Sequence, residues 1–301
     1  MKIYHSLEEY MPQKAGAYVA LGFFDGVHLG HRAVIEGCVA DSGGHESVVL
    51  TFRESPAKAL GRTAPPLLSD NARKAELMEE LGVDALIFAD FHALKDMPPA
   101  VFVQKVLAEK LNAERVYCGF NYRFGRNGAG DIAALEKLCD EKGITVCVRQ
   151  PVVLDGEQVS SSRIRELIAI GAIDRANRLL GSRWAIEGRI ESGNHIGTGM
   201  GFPTVNLPIP DGTAVPLFGV YASDIVIDGA RYRGATNIGV HPTVGENDKP
   251  LCETFLLDFG EGDLYDKRVR CELKAFIRPE RRFNSVEELT EQIRLDCEKC
   301  K

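Results

Sequence analysis

The chain has 301 residues, 45% of them hydrophobic and 26% charged, and a formal net charge of −7. These values are those of an ordinary soluble globular protein, long enough for its core to split in two. They argue against a broadly basic nucleic-acid surface, and no apolar run approaches the roughly 18 residues of a membrane span. The opening MKIYHSLEEYMPQ has no apolar run ending in a cleavage site, so the expected location is cytoplasmic.

In chain order, Tyr18–Phe23 is expected as a buried strand, with a helix from Leu29 to Val39 just after it. SVVLTF (47–52) is a second strand, and Ser69 stands where an N-cap should precede the helix NARKAELMEELG, which Gly82 ends. Asp84–Ala89 is a third strand. Pro98 and Pro99 open a helix through Leu111, and Glu114–Cys118 is a fourth strand. A helix over Asp131–Lys142 and a strand over Ile144–Arg149 complete the series. Short apolar strands separated by helices predict a parallel α/β sheet covered on both faces.

Beyond Leu180–Arg183 the pattern changes to short strands between Gly/Pro turns: WAIEGRI, PTVNL, GVYASDIVI, ARYRGATNI, CETFLLDF and RVRCELKAFI. These predict a small antiparallel barrel or sandwich. A closing amphipathic helix, SVEELTEQIRLDCEK, has Ser285 as N-cap and Glu288 three residues on. The eight cysteines are scattered. Only Cys297 and Cys300 have metal-like spacing, with no second pair, so free thiols are expected.

Three segments of the first domain carry chemistry. GFFDGVHLGH (22–31) follows the first strand and opens a helix; its glycines allow close backbone approach and its helix start presents N–H groups to phosphate. His28 and His31 can donate hydrogen bonds to charge developing on a phosphoryl group. GFNYRFGRNGAGD (119–131) leaves the fourth strand, at the end where parallel sheets bind ligands, and mixes aromatics and glycines suited to covering a flat ring. SSSRIR (160–165) sets hydroxyls and two arginines at a helix start, an anion site. Taken singly, each segment also reads as a tight turn, a flexible loop or a solvated cap.

In the second domain, GFPTVNL (201–207) spaces Thr204 and Asn206 two apart, on one side of an extended segment. Their oxygens suit Mg²⁺, or simply satisfy a turn. Glu253, in CETFLLDF, faces opposite to Cys252 and Thr254.

The sequence resembles the bifunctional riboflavin kinase/FAD synthetase family of bacteria over nearly its whole length. GFFDGVHLGH is similar to that family's G-x-F-D-G-V-H-x-G-H signature, and TFRESP, GFNYRFG and SSSRIR resemble its later segments. GFPTVNL resembles the riboflavin kinase G-x-P-T-A-N signature, and GATNIGVHPT its A-N-I-G-x-x-P-T segment. The resemblance implies a Rossmann-like nucleotidyltransferase domain with a parallel sheet at 1–182. It implies a small antiparallel β-barrel riboflavin kinase domain with a C-terminal helix at 183–301.

The implied reactions are ATP-dependent phosphorylation of riboflavin to FMN, then transfer of AMP from ATP to FMN, giving FAD and pyrophosphate. By resemblance, His28, His31 and Glu253 are catalytic. Gly22, Phe24, Asp25, Gly26, Gly30, Asn121, Ser161, Ser162, Arg163, Arg165, Gly201 and Pro203 bind nucleotide or phosphate. Phe52, Tyr122, Phe124 and Arg278 bind flavin, and Thr204 and Asn206 hold Mg²⁺. The implied partners are small molecules alone, ATP and flavins, with neither nucleic acid nor membrane, in a monomer or weak homo-oligomer. A chain with one working activity, or a non-catalytic flavin-binding protein, is the alternative. The sequence departs from the pattern at Phe23, at Glu54–Ser55, and at Gly128 and Thr198, where arginine is usual. The last two losses remove cations from phosphate-facing loops.

Overall fold

Short apolar strands and amphipathic helices alternate along the first half of the chain, and they assemble as that alternation requires. The computed structural model describes residues 1–191, 204–240, 249–257, 259 and 267–300. Packing divides the chain into two units: Met1–Pro65 with Ser69–Ser160, and Pro66–Leu68 with Ser161–Lys301.

The first unit holds β1 (Lys2–Tyr4), β2 (Ala17–Leu21), β3 (Glu46–Phe52), β4 (Ala85–Ala89), β5 (Ala113–Gly119) and β6 (Thr145–Arg149). They form one sheet in the order β1-β4-β3-β2-β5-β6, every pair parallel. Strand alternation splits β2 between two cores. Val19 and Leu21 pack with Leu50, Ile87, Phe102 and Phe124 on one face. Ala20 packs with Ile35, Val49, Leu77 and Met78 on the other. Helices Leu29–Ser42, Asn71–Glu80 and Ile132–Asp140 surround the sheet, and a two-strand hairpin, β7 (Val153–Leu154) with β8 (Glu157–Gln158), follows it.

Three local details differ from expectation. Strand β2 stops at Leu21, because Phe24 already has φ 53° and turns the chain. The N-cap of Asn71–Glu80 is Asp70, whose carboxylate accepts from the Arg73 N–H at 2.7 Å; the Ser69 hydroxyl instead accepts from the Gly26 N–H at 3.2 Å. The helix begun at Pro99 widens after Val101, and the Leu111 N–H reaches back five residues to the Val106 carbonyl at 2.9 Å.

The second unit contains β9 (Ala185–Arg189), β10 (Thr204–Pro208), β11 (Gly219–Ile227), β12 (Ala230–Val240), β13 (Pro250–Leu256) and β14 (Arg268–Pro279). Their antiparallel order, β10-β13-β12-β11-β14-β9, brings the two outer strands round to each other. The Glu191 N–H bonds the Asn206 carbonyl at 2.9 Å, so the sheet is a nearly closed barrel. Helix Val286–Lys299 covers one side, with Ile293 and Cys297 against Ala235 and Phe255. Its N-cap is Ser285, which accepts from the Glu288 N–H at 3.2 Å. Helices Ser161–Ala169 and Ile173–Leu180 pack with this unit; the Asn177 side chain donates to the Leu273 carbonyl at 2.9 Å and accepts from the Trp184 N–H at 2.7 Å. All eight cysteines are free thiols.

Candidate active sites

The segment after β2 must reverse direction within a few residues to start the helix Leu29–Ser42. It does so with three left-handed residues, Phe24 (φ 53°), Gly26 (φ 76°) and Val27 (φ 43°). Gly26 meets that conformation freely, whereas a β-branched residue such as Val27 does so at a cost of about 1–3 kcal/mol. The surroundings hold the turn: Phe24 and Val27 are buried in the core, and Thr51 donates to the Phe23 carbonyl at 2.9 Å. A Cβ on Gly22 would lie 2.8 Å from the Phe24 ring, so the strand exit admits no larger residue without movement.

The turn delivers two stacked imidazoles. The ring centroids of His28 and His31 lie 3.5 Å apart with the planes 16° from parallel, and the Phe24 and His31 rings form a T-shaped pair with centroids 5.4 Å apart. His28 is 6% exposed and caps the helix: its Nδ1 accepts the His31 N–H at 3.2 Å. With Nδ1 accepting, the neutral ring carries its proton on Nε2, a donor nitrogen. Gly30 brings the backbone close, since a Cβ there would lie 3.2 Å from the His28 ring and 3.8 Å from the Val159 carbonyl. The result is a helix start with donor groups, glycine clearance and two histidines, suited to an anionic phosphoryl group.

The turn also has an anchor that sequence reasoning passed over. Lys74, only 2% exposed, donates to the Phe23 carbonyl at 2.8 Å and stands 4.3 Å above the Phe23 ring centroid. Burial lowers its pKa to about 8, the nearby Asp25 carboxylate acting in the opposite sense. Asp25 is itself only 3% exposed.

The loop after β5 is pinned across its base by paired backbone bonds between Phe124 and Gly130, at 3.1 and 2.9 Å. Phe124 is a core residue, 5.5 Å from the Phe102 ring and stacked 6.0 Å from Tyr122. Burial raises the pKa of the Tyr122 hydroxyl. Asn121 is exposed two residues past the end of β5, and Gly128 has φ +65°, a conformation that suits glycine. Phe52 ends β3 on the same core and meets the Phe91 ring edge-on at 5.1 Å. The first unit therefore sets the histidine turn on one core and Phe52, Tyr122 and Phe124 on the other.

Ser161, Ser162, Arg163 and Arg165 open the helix Ser161–Ala169 of the second unit. Arg163 pairs with Glu166 at 2.9 Å, and Arg165 donates to the Pro66 carbonyl at 2.6 Å.

In the barrel, register builds the constellation. Asn206 of β10 stands directly opposite Glu253 of β13, which stands opposite Asn237 of β12. The same row continues through Val220 of β11 to Arg278 of β14. Directly paired residues share a face, so Glu253 is flanked by two amides while Cys252 and Thr254 point into the buried interior. Thr204 lies two residues before the 7%-exposed Asn206, on the same side of the strand. Arg278 is held two-pronged by Asp296, with Nε–Oδ1 3.1 Å and Nη2–Oδ2 2.7 Å, and Gln292 donates to the same carboxylate at 2.7 Å. Gly201, Pro203 and Thr198 lie outside the described residues.

Comparison with known proteins follows the same division. Residues 10–163 match the family model for FAD synthetase, and residues 180–301 that for riboflavin kinase. The bifunctional riboflavin kinase/FMN adenylyltransferase of Pseudomonas fluorescens is 35% identical over 299 residues, covering 98% of this chain and 96% of its own. Those of Bacillus subtilis (97% and 93% covered) and Listeria monocytogenes (92% and 89%) are each 34% identical. The chain belongs to the bifunctional riboflavin kinase/FMN adenylyltransferase family. A solved structure from Streptococcus pneumoniae, described as a macrolide-efflux protein, superposes with TM-score 0.85 at 28% identity, covering 98% of this chain and 97% of that one. Among the described residues, no helix is long and apolar enough to cross a membrane.

Within this family member, four residues beyond those expected support the candidate sites: Lys74 and Ser69 under the histidine turn, Asn237 beside Glu253, and Asp296 behind Arg278. The sequence signal for Lys74 was its spacing, three and four residues before Leu77 and Met78, on the buried stripe of its helix.

Proposed function

We propose that the barrel unit phosphorylates riboflavin and the parallel-sheet unit adenylylates the FMN produced, with residues 1–182 and 183–301 as the two functional domains. The observation that carries this reading is the presence of both constellations in one chain: stacked His28 and His31 at a helix start, and Glu253 in register between Asn206 and Asn237. An FMN phosphate oxygen attacks the α-phosphorus of ATP and pyrophosphate leaves. The nucleophile is already ionised near neutral pH, so this reaction needs charge neutralisation and in-line placement rather than a strong base. His28 and His31 donate to the phosphoryl oxygens, beside the backbone of Gly22, Phe24, Asp25, Gly26 and Gly30. Asn121 positions ATP; Ser161, Ser162, Arg163 and Arg165 bind phosphate; Phe52, Tyr122 and Phe124 bind the flavin ring.

The riboflavin 5′-hydroxyl is far less acidic; as its oxygen attacks the γ-phosphorus of ATP and ADP leaves, a carboxylate takes the hydroxyl proton. Glu253 fills that role, while Gly201 and Pro203 line the nucleotide and Arg278 orients the flavin. The Thr204 hydroxyl and Asn206 amide oxygen, on one side of β10 next to Glu253, are hard donors that fit Mg²⁺. When bound there, the ion neutralises phosphate charge. We place the enzyme in the cytoplasm, as a monomer or weak homo-oligomer acting on small molecules rather than nucleic acid.

The test is direct: purified protein is incubated with riboflavin, ATP and Mg²⁺ and the flavins are separated. FMN and then FAD are expected. FMN as the sole product would remove the adenylyl-transfer claim, and conversion of supplied FMN but not of riboflavin would remove the kinase claim.

A further inference from the structure

We propose that Lys74 is a positioning residue for adenylyl transfer, its buried ammonium holding the Phe23–Asp25 limb of the turn so that His28 and His31 face the phosphates. This inference rests on the reading of the first unit as the adenylyl-transfer site.

A lysine at 2% exposure sits where its helix otherwise buries Leu77 and Met78. An apolar side chain of similar length would fill that space without the cost of burying a charge. The ammonium instead makes two directed contacts with one residue: 2.8 Å to the Phe23 carbonyl and 4.3 Å to the Phe23 ring centroid. It also feels the buried Asp25 carboxylate two residues further on. Phe23 and Asp25 bracket Phe24, the first left-handed residue of the turn, whose ring packs T-shaped with His31. One cation thus restrains both sides of the residue on which His31 rests.

The other polar groups around Lys74 leave it this task. From β3 the Thr51 hydroxyl bonds the same Phe23 carbonyl. On its own helix Asp70 caps the Arg73 N–H, and Arg73 turns to Glu76 at 3.0 Å and Glu80 at 3.4 Å. His28 and His31 are the remaining titratable groups of the turn. Asp25 is the charged group that acts on Lys74.

Loss of the proton from Lys74, near pH 8, removes the ion–dipole and cation–π contacts together. The unfolded chain keeps that proton to about pH 10.5. Between those values the unfolded state binds more protons, so this group makes the fold more stable as pH rises. Its predicted effect on adenylyl transfer has the opposite sign: the rate falls over the same interval.

The test measures FMN adenylylation and riboflavin phosphorylation on the full-length chain from pH 7 to 10, with thermal unfolding alongside. In the unaltered protein, adenylylation falls with an apparent pKa near 8, while the fold does not weaken in step. Lys74→Met lowers kcat for adenylylation about a hundredfold, the scale expected for misplacing a reactive group by about 1 Å. It leaves riboflavin phosphorylation within about twofold and abolishes the alkaline limb. Lys74→Arg, a cation that does not titrate, retains part of the rate with a flat alkaline profile. A flat profile in the unaltered protein overturns the proposal without any variant, and so does a folded Lys74→Met that adenylylates FMN at the original kcat. Failure of the unaltered protein to make FAD from FMN and ATP would instead overturn the functional reading beneath it.

Discussion

The two units solve the problem of holding phosphate chemistry in opposite ways. In the parallel-sheet unit the candidate groups sit past the strand ends, on a backbone bent through three left-handed residues and secured from beneath by Thr51, Ser69 and Lys74. In the barrel they sit on the strands themselves, where Asn206, Glu253 and Asn237 are neighbours because the ladder is in register. A loop site depends on anchors that touch no substrate, while a strand site is positioned by backbone hydrogen bonds that no single side chain supplies. Substitutions beneath the turn should therefore propagate to function, and those beside the strand row should act locally.

The largest separation between the units is expected from Glu253→Gln. Riboflavin phosphorylation should drop by about 10²–10⁴-fold, the usual contribution of a positioned proton acceptor, with FMN adenylylation within about twofold. Both rates are read from separated flavins, with FMN supplied for the second. Equal losses in both reactions would dissolve the comparison. His28→Ala should reverse the pattern, lowering FAD formation by about 10²–10³-fold, the range for a lost charge-stabilising donor, while riboflavin is still converted to FMN.

Asp296→Ala probes the barrel away from the strand row. It removes the buried partner of the half-buried Arg278, and losing hydrogen bonds between charged groups of this kind costs about 1–3 kcal/mol. Denaturant unfolding should show that loss, and KM for riboflavin should rise more than kcat falls. Gly26→Ala forces a Cβ onto a residue with φ 76°, at about 1–2 kcal/mol. The expected outcome is a modest fall in adenylylation and a slightly lower melting temperature. A wild-type rate there would mean that the turn tolerates relaxation.

Much of this arrangement was legible in the chain, because long-period signals survive without tertiary information. Alternating apolar strands and capped helices foretold the parallel sheet, and the strands after Trp184 foretold an antiparallel sheet with the alternation that sets Glu253 apart from Cys252 and Thr254. What was missed is tertiary. Strand β1 is three residues long, too short for any periodicity, and exists by pairing with β4. Lys74 shares the stripe of Leu77 and Met78, but what its charge does there is decided only by the contact with Phe23. That contact also answers why an aromatic stands at 23: its ring lies beneath the ammonium and its carbonyl accepts from it. Arg278 and Asp296 are 18 residues apart on a strand and a helix, and their meeting depends on how that helix docks. The Ser69 hydroxyl accepts from the Gly26 N–H of the turn, while its neighbour Asp70 caps the helix, a division that only the docking of the turn reveals.

The backbone bond from Glu191 to Asn206 that closes the barrel has a consequence for fidelity. Were β10 slipped by one position, Asn206 would point inward and Leu207 outward, and the amide would leave the face of Glu253. Because Asn206 is fixed by β13 on one flank and by Glu191 on the other, any such slip breaks two sets of bonds at once. The closure thus adds to the cost of misalignment and favours the register in which the amide and the carboxylate share a face.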